Sequence, residues 1–470
     1  MELKSGAHVH LMGICGTAMA SLAGLLKTRG YHVTGSDNNP YPPMSTQIES
    51  LGISILKGYQ AQNLNPRPDF VIVGNVISKN NPEAEELLRL GIPYTSLPKA
   101  MGELIIDQRE SIVISGTHGK TTTTSLMAWV AESLQKKPGF LIGGIAKNFS
   151  KSFQNPEGSY FIIEGDEYDT AFFDKVPKFV HYKPRHVILT SIEFDHADIY
   201  KDLADVKSAF RRLVDLIPAD GHLIYSAADL NIKDILQAPC ACKNLFSYGF
   251  EPTADYTVVL QEMNETSTRF QVFFRSQLLG LFDIQMGGNY NVLNATAVVA
   301  MAHQLGWDLK KTGQAFTQFL GVKRRQEVLG EPKGILVIED FAHHPTAVKE
   351  TIAGIRAKYK GRKIISVFEP RSATSRRKIF QQDYVQAFQQ SDDTVLMEAF
   401  DTSKIDANNR FSSEQLAMDL KQLKKSAQCF HSVDQIVQYL KSQAQPKDLI
   451  LIMSNGGFDG IYQKLLQAIS

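Results

Sequence analysis

Cysteine is scarce: Cys15, Cys240, Cys242 and Cys429 are the only four in 470 residues. So few sulfurs in so long a chain do not make a disulfide framework, and the close pair Cys240 and Cys242 lacks the second pair or nearby histidines that zinc would need. Reduced thiols are expected. An excess of charge is missing too: 50 Lys and Arg face 49 Asp and Glu, for a formal net charge of +1. That leaves no field to draw in nucleic acid or an anionic membrane surface, and neither is expected as a partner. Nowhere do eighteen apolar residues run together, and the opening MELKSGAHVHLMGICG has too short an apolar run for a signal peptide. A cytoplasmic protein is expected. Internal repeats and low-complexity tracts are also absent.

What is present is length and alternation. A chain of 470 residues exceeds what one core serves, so about three domains are expected. HVHLMGICGTAMASLAGLLKTRGYHVTGSD reads as strand, glycine turn, amphipathic helix, a stop at Gly30 and a second strand ending at Asp37. Strands follow at ISILKG, FVIVGN and IPYTS, with a helix at NPEAEELLRLG, which predicts a parallel sheet wrapped by helices. A second block has strands at SIVISG, YFIIEGDE and HVILTSI, and residues 253–288 alternate like a β-rich insert or edge sheet. One helical run is predicted from Asn291 to about Phe319, then a linker over residues 321–346. GILVIED, KIISVFEP, DTVLMEA and DLILIMSNGG alternate with helices and predict a third, parallel sheet. The predicted domains are residues 1–108, 109–321 and 322–470.

The chemistry concentrates at strand ends. VISGTHGKTTTTSLMAWV, Val113 to Val130, reads as strand, phosphate-cradling turn and helix, although Ile114 stands where the usual phosphate-loop pattern has glycine. Gly116 and Gly119 let backbone N–H groups close on an anion, Lys120 adds a point charge, and Thr121 offers a hydroxyl to Mg²⁺. The earlier turn, Gly13-Ile14-Cys15-Gly16, is a weak dinucleotide fingerprint, but it places a helix start beside the first strand with Asp37 within reach of a ribose. FIIEGDEYDTAFF ends an apolar strand at Glu164, a place for a metal-binding carboxylate, with Asp166, Glu167 and Asp169 close behind. The next strand ends at SIEFDHADIY, where Asp195, His196 and Asp198 form a second polar cluster. Asn291 and Asn294 share a helix face and could read an adenine edge. Arg324, Arg325, Asp340, His343 and His344 flank the predicted linker, where domain closure could bring a cation onto a γ-phosphate.

In this order SGTHGKTTT, EGDEYD, the FDHAD cluster, GxxNxxNA, RR and EDFAHHPTA resemble the Mur ligases, the ATP-dependent amide-forming enzymes of bacterial peptidoglycan synthesis. The resemblance covers essentially the whole chain. It implies an α/β fold of three domains: a Rossmann-like N-terminal sheet that binds a uridine-nucleotide sugar, a P-loop ATPase-type central sheet, and a Rossmann-like C-terminal domain. Within the family residues 10–45 resemble the N-terminal uridine-nucleotide domain of the muramate:alanine ligase branch. Cys15, NNPYPPMST after Asp37 and IMSNGGFDGI near the C-terminus resemble the recycling branch, which adds preformed L-alanyl-γ-D-glutamyl-meso-diaminopimelate, over the alanine-adding one.

The resemblance also implies roles. Gly116, Thr117, His118, Gly119, Lys120, Thr121 and Thr122 would hold the phosphates of ATP. Thr121 would bind one Mg²⁺, Glu164 and His196 would bind a second that bridges the γ-phosphate and the substrate carboxylate, and Asn291, Asn294, Arg325 and Asp340 would complete the ATP site. Lys120, Glu164, His196, Arg325 and His343 would form the catalytic set, with His196 or His343 as base for the amine. Gly13, Gly16, Thr17, Asp37, Asn75 and Ser78 would hold the UDP-sugar, and Arg371, Ser454 and Asn455 the acceptor peptide. Tyr290 departs from the histidine usual in relatives, and AFRRLV around Phe210 and Arg211 offers no lysine for carbamylation. A monomer or weak homodimer is expected. Three rivals are weaker: a nicotinamide dehydrogenase, against which the broken glycine fingerprint and the second phosphate loop speak; a nucleic-acid ATPase, which the balanced charge disfavours; and a folate-polyglutamate ligase, against which the N-terminal GICGTAM…GSD unit speaks for a uridine nucleotide.

Overall fold

The structure is a computed structural model that describes residues 3–40, 44–197 and 199–470. Asp198 and the centre of NNPYPPMST therefore lie outside the described residues. Three sheets follow one another along the chain. The first has five parallel strands, His8–Met12 at its centre between His32–Asp37 and Phe70–Val73, with Ile55–Lys57 and Tyr94–Ser96 at the edges. The apolar strand Phe70–Val73 is buried throughout, as expected for a parallel sheet covered on both faces. Helix Pro82–Leu90 shows how local sequence sets its limits. Asn81 accepts the Glu83 and Ala84 N–H groups, proline opens the first turn, and Gly91 ends the helix at φ 58°.

The second sheet has ten strands. At its centre Glu110–Ser115 lies parallel between Tyr160–Gly165 and Pro184–Leu189, with Ile114 opposite Glu164 and Ser115 opposite Leu189. This register brings the phosphate loop, Glu164 and the segment after Leu189 to one edge. The predicted β-rich insert is three antiparallel strands, Tyr256–Met263, Thr268–Phe274 and Gln277–Ile284, continuing the same sheet. The predicted single helix after it is two, Asn289–Gln304 and Leu309–Thr317. Gly306 at φ 66° turns the chain, and Asp308 caps the second helix through the Lys311 N–H.

The third sheet has six strands, and its edge strand Glu327–Gly330 runs antiparallel to Leu336–Asp340. The predicted linker is thus largely a hairpin of this sheet. Leu336–Asp340, Leu449–Met453 and Ile364–Phe368 are parallel, with Asp340 and Phe368 both opposite Met453. Asp340, Glu369 and Ser454 therefore stand together at the carboxyl ends. The first and second sheets share a core in which Phe153 packs on helix Thr17–Thr28. A Cβ on Gly24 would lie 2.0 Å from the Phe153 ring, so this contact requires glycine. All four cysteines are free thiols, and among the described residues no helix is long and apolar enough to cross a membrane.

Candidate active site

The loop Gly116–Gly119 joins strand Glu110–Ser115 to helix Lys120–Ser133. Gly116 has φ 129° and Gly119 has φ 82°, conformations that side chains resist. A Cβ on Gly116 would meet Thr190 Oγ1 at 2.2 Å, and one on Gly119 would meet Asn294 Oδ1 at 2.7 Å. The helix start has no side-chain cap, so its first N–H groups are free for an anion. This cradle fits a polyphosphate. Gly119→Ala is expected to raise the KM for ATP and to cost about 1 kcal/mol or more of stability, measurable by steady-state kinetics and thermal melting.

Lys120 Nζ donates to the Gly116 carbonyl at 2.6 Å and to Glu167 at 3.1 Å, with Asp166 at 4.0 Å. Burial by itself would lower its pKa, but Glu167, Asp166 and Glu164 outweigh burial and keep the ammonium charged. Lys178 pairs with Asp166 at 3.0 Å, and its ammonium sits 4.0 Å from the centre of the Tyr168 ring. Glu164 is different. Burial, helped by Asp166, raises its pKa, with the Gly143 N–H, Lys120 and Arg325 only partly opposing it. Its two oxygens take the Gly143 N–H at 2.5 Å and the Thr121 hydroxyl at 3.1 Å. Oxygens on an octahedral Mg²⁺ at about 2.1 Å lie about 3.0 Å apart, so Thr121 and Glu164 fit adjacent positions around that ion. His196, expected to share a Mg²⁺ with Glu164, has φ 53°, lines the same cavity and places its Nε2 3.6 Å from Glu167.

The C-terminal domain closes the site. Arg325 stacks on Phe341, 4.6 Å from the ring centre, and reaches to 3.5 Å from the Thr121 hydroxyl. Arg324 points the other way, pairing with Glu339 at 2.6 Å and donating to the Ser454 and Gly456 carbonyls. Asp340 accepts the Gln326 and Ala342 N–H groups, each at 2.8 Å, which fixes the turns on either side of Arg325 and Phe341. Asn291 donates to the Gly287 carbonyl and Asn294 to Asn291, both buried. Gln326 donates to the Tyr290 hydroxyl at 2.5 Å, so the departure from histidine at 290 is tied into the domain junction. Arg325, Gln326, Asp340, Tyr290, Asn291 and Asn294, with loop residues 117–120, His196 and His343, line one cavity of about 630 Å³.

The N-terminal residues meet at another strand edge. Cys15 N–H donates to Asp37 at 3.0 Å, and a Cβ on Gly13 would touch Val76 at 3.3 Å, so the turn Gly13–Gly16 faces the loop holding Asn75 and Ser78. Both of those residues are exposed, as is Thr17 at the uncapped start of its helix. The crevice lies between His8–Met12 and Phe70–Val73, where the strand order reverses, the usual ligand position in such sheets.

Comparison with known proteins bears on the same three regions. Residues 8–109 match the family model "Mur ligase family, catalytic domain", 114–302 match "Mur ligase middle domain", and 324–456 match "Mur ligase, glutamate ligase domain". A relative from Haemophilus influenzae, named UDP-N-acetylmuramate–L-alanyl-gamma-D-glutamyl-meso-2,6-diaminoheptandioate ligase, is 39% identical, the match covering 98% of this chain and 99% of the relative. The chain belongs to the Mur ligase family. It is also 33% identical to a UDP-N-acetylmuramate–L-alanine ligase of Clostridium tetani, over 97% of this chain and 96% of that one. Among solved structures, a murein peptide ligase from Psychrobacter arcticus is 36% identical, with a TM-score of 0.74 and 99% of each chain covered. The three-domain α/β fold and the amide-forming ligase class expected from the motifs both hold.

In this Mur ligase the acceptor candidates divide. Arg371 lies 3.8 Å from the centre of the Phe400 ring and 3.2 Å from Glu369, and a Cβ on Gly456 would fall 2.2 Å from its Cδ. The Ser454 hydroxyl is fully buried and donates to Glu369 at 2.5 Å. Ser454 therefore positions Glu369 and Arg371, and its side chain is not open to a peptide. Asn455 keeps a buried side-chain oxygen without a hydrogen-bond partner. Motif reading undervalued Glu167, which is 2% exposed and faces both Lys120 and His196. Its signal was present in EGDEYD. Thr374, which donates to Asp195 at 2.7 Å across the domain junction, left no comparable signal.

Proposed function

We propose that this Mur ligase joins the carboxylate of UDP-N-acetylmuramate to the amine of L-alanyl-γ-D-glutamyl-meso-diaminopimelate, consuming ATP. Residues 1–108 take the nucleotide sugar, 109–321 take ATP, and 322–470 take the peptide and close on ATP. One observation carries the reading: Lys120, Thr121 and Arg325 of the next domain line a single cavity, with Glu164 bound behind Thr121. The name of the Haemophilus influenzae relative, similar end to end, supports the choice of substrates.

A lactyl carboxylate oxygen attacks the γ-phosphorus, the bond to ADP breaks, and an acyl phosphate forms. Two anions must approach, so Lys120 and Arg325 neutralise the transferred group. Mg²⁺ held by Thr121 and Glu164 would add charge neutralisation on the phosphate oxygens. The amine of the peptide then attacks the acyl carbon, phosphate leaves, and the amide remains. The amine arrives protonated and must lose its protons. His343 suits that task better than His196. Its Nδ1 lies 3.1 Å from the Phe341 carbonyl, which can only accept, so Nδ1 carries the hydrogen and Nε2 keeps its lone pair. Burial lowers the His343 pKa, against the pull of Asp195, so the ring is neutral at physiological pH. His196, by contrast, turns Nε2 toward a carboxylate.

The wild-type rate is expected to fall only as the pH drops below about 6.5, where a base of lowered pKa becomes protonated. His343→Gln is expected to lower kcat by about 100-fold or more and to flatten that acid limb. An unchanged pH–rate profile removes His343 from the role. The reaction itself is tested by mass spectrometry of mixtures with ATP, Mg²⁺, the nucleotide sugar and the tripeptide. One ADP and one phosphate per amide formed are expected, and ATP hydrolysis without amide contradicts the reading.

A further inference from the structure

A second group of ligating atoms stands at the rim of the ATP cavity, apart from the Thr121–Glu164 pair. His118 Nε2 is 3.4 Å from Glu193 Oε2, His344 Nδ1 is 3.5 Å from the same oxygen, and all three atoms lie within 4.8 Å of one another. His118 belongs to the phosphate loop, Glu193 to the segment after strand Pro184–Leu189, and His344 caps helix Pro345–Lys358 of the C-terminal domain. Both distances are long for charge-assisted hydrogen bonds, which run at about 2.7–2.9 Å. They match instead the edge of about 3.3–3.4 Å between nitrogen and oxygen ligands that each sit about 2.05 Å from a tetrahedral metal.

Tautomer reasoning leads to the same place. His344 Nε2 lies 3.3 Å from the Phe194 carbonyl, an acceptor only, so Nε2 carries the hydrogen. The Thr346 N–H makes a long contact of 3.3 Å with Nδ1, which marks that nitrogen as the lone-pair side. Nδ1 accepts that N–H and also stands 3.5 Å from the Glu193 oxygen. Burial, reinforced by His118, holds the His344 pKa down to about 4, so the ring does not supply a proton near neutrality. Glu193 goes the other way. Burial would raise its pKa, but His118 and the Thr346 hydroxyl, which donates to it at 2.7 Å, hold it down to about 2. The Phe194 carbonyl and the Thr346 hydroxyl supply the outer hydrogen bonds that orient metal ligands.

We propose that His118, Glu193 and His344 form a site for a divalent transition ion of the zinc class, which staples the C-terminal domain to the phosphate loop. Two imidazoles and one carboxylate suit Zn²⁺ or Co²⁺, whereas Mg²⁺ prefers an all-oxygen shell. Three protein ligands leave a fourth position for water. The ligands come from both sides of the domain junction, so an ion bound there opposes domain opening and slows turnover.

Co²⁺ is the probe, added to the full-length protein in millimolar Mg²⁺ so that oxygen sites are filled. One equivalent is expected to give the visible absorption of a four- or five-coordinate cobalt site. Glu193→Gln and His344→Asn, the latter keeping a helix-capping side chain, are each expected to weaken binding at least tenfold. Zn²⁺ is expected to raise the melting temperature of the wild type and not of the variants. If Glu193→Gln fails to fold, His344→Asn alone decides. No visible absorption in the wild type, absorption that persists in the variants, or a sulfur-to-cobalt charge-transfer band from a cysteine site each overturns the proposal.

Discussion

Lys120→Met is expected to reduce the rate of amide formation by about three orders of magnitude, the scale seen when one preorganised charge is removed from a transition state. Lys120 is the cation that reaches both the loop carbonyl at Gly116 and the carboxylate of Glu167. Methionine keeps most of the stem and none of the charge. The loss should appear in kcat, with a smaller change in the KM for ATP, because the cradle glycines and the free helix N–H groups remain. A variant that retains a tenth of wild-type kcat would mean that Lys120 serves structure and that another cation meets the γ-phosphate.

Glu164→Gln is expected to separate activity from stability. The amide can still accept the Gly143 N–H and lie beside the Thr121 hydroxyl, while the buried charge is gone. Burial raises the Glu164 pKa, which means that the ionised carboxylate is held at a cost in the absence of a cation. The variant should melt at or above the wild-type temperature and lose about 100-fold or more in kcat, with a large rise in the Mg²⁺ concentration needed for half-maximal rate. A lower melting temperature together with unchanged Mg²⁺ dependence would remove Glu164 from the metal site.

The parts of the site that were legible in the sequence are the parts held together locally. Gly116, Gly119, Lys120 and Thr121 lie on one strand-turn-helix, and Glu164 ends the neighbouring strand, so an apolar run followed by polar residues was enough to find them. The partner of His196 was not legible, because its left-handed backbone brings the ring to 3.6 Å from Glu167. Ser454 looked available in SNGG, yet the sheet register places it beneath Glu369. The predicted linker concealed a strand, since Glu327–Gly330 is only four residues long and pairs at an edge. Glu193 and His344 are 151 positions apart, and no local pattern could join them. Periodicity finds elements and strand ends, while pairings across domains depend on how the sheets are docked.

The choice of acceptor is the central claim, because the chain is similar both to a tripeptide ligase and to alanine ligases. Arg371 is braced by Glu369 and Phe400 and packed against Gly456, whose neighbour Asn455 keeps an unpartnered oxygen, so the proposed peptide site would offer a cation and an acceptor to a long, charged substrate. The most direct measurement is a competition: ATP, Mg²⁺ and UDP-N-acetylmuramate with equal concentrations of L-alanine and L-alanyl-γ-D-glutamyl-meso-diaminopimelate, the products separated and weighed by mass spectrometry. The tripeptide adduct is expected to dominate. A product made mainly of the alanine adduct would contradict the account and make this chain an alanine-adding ligase.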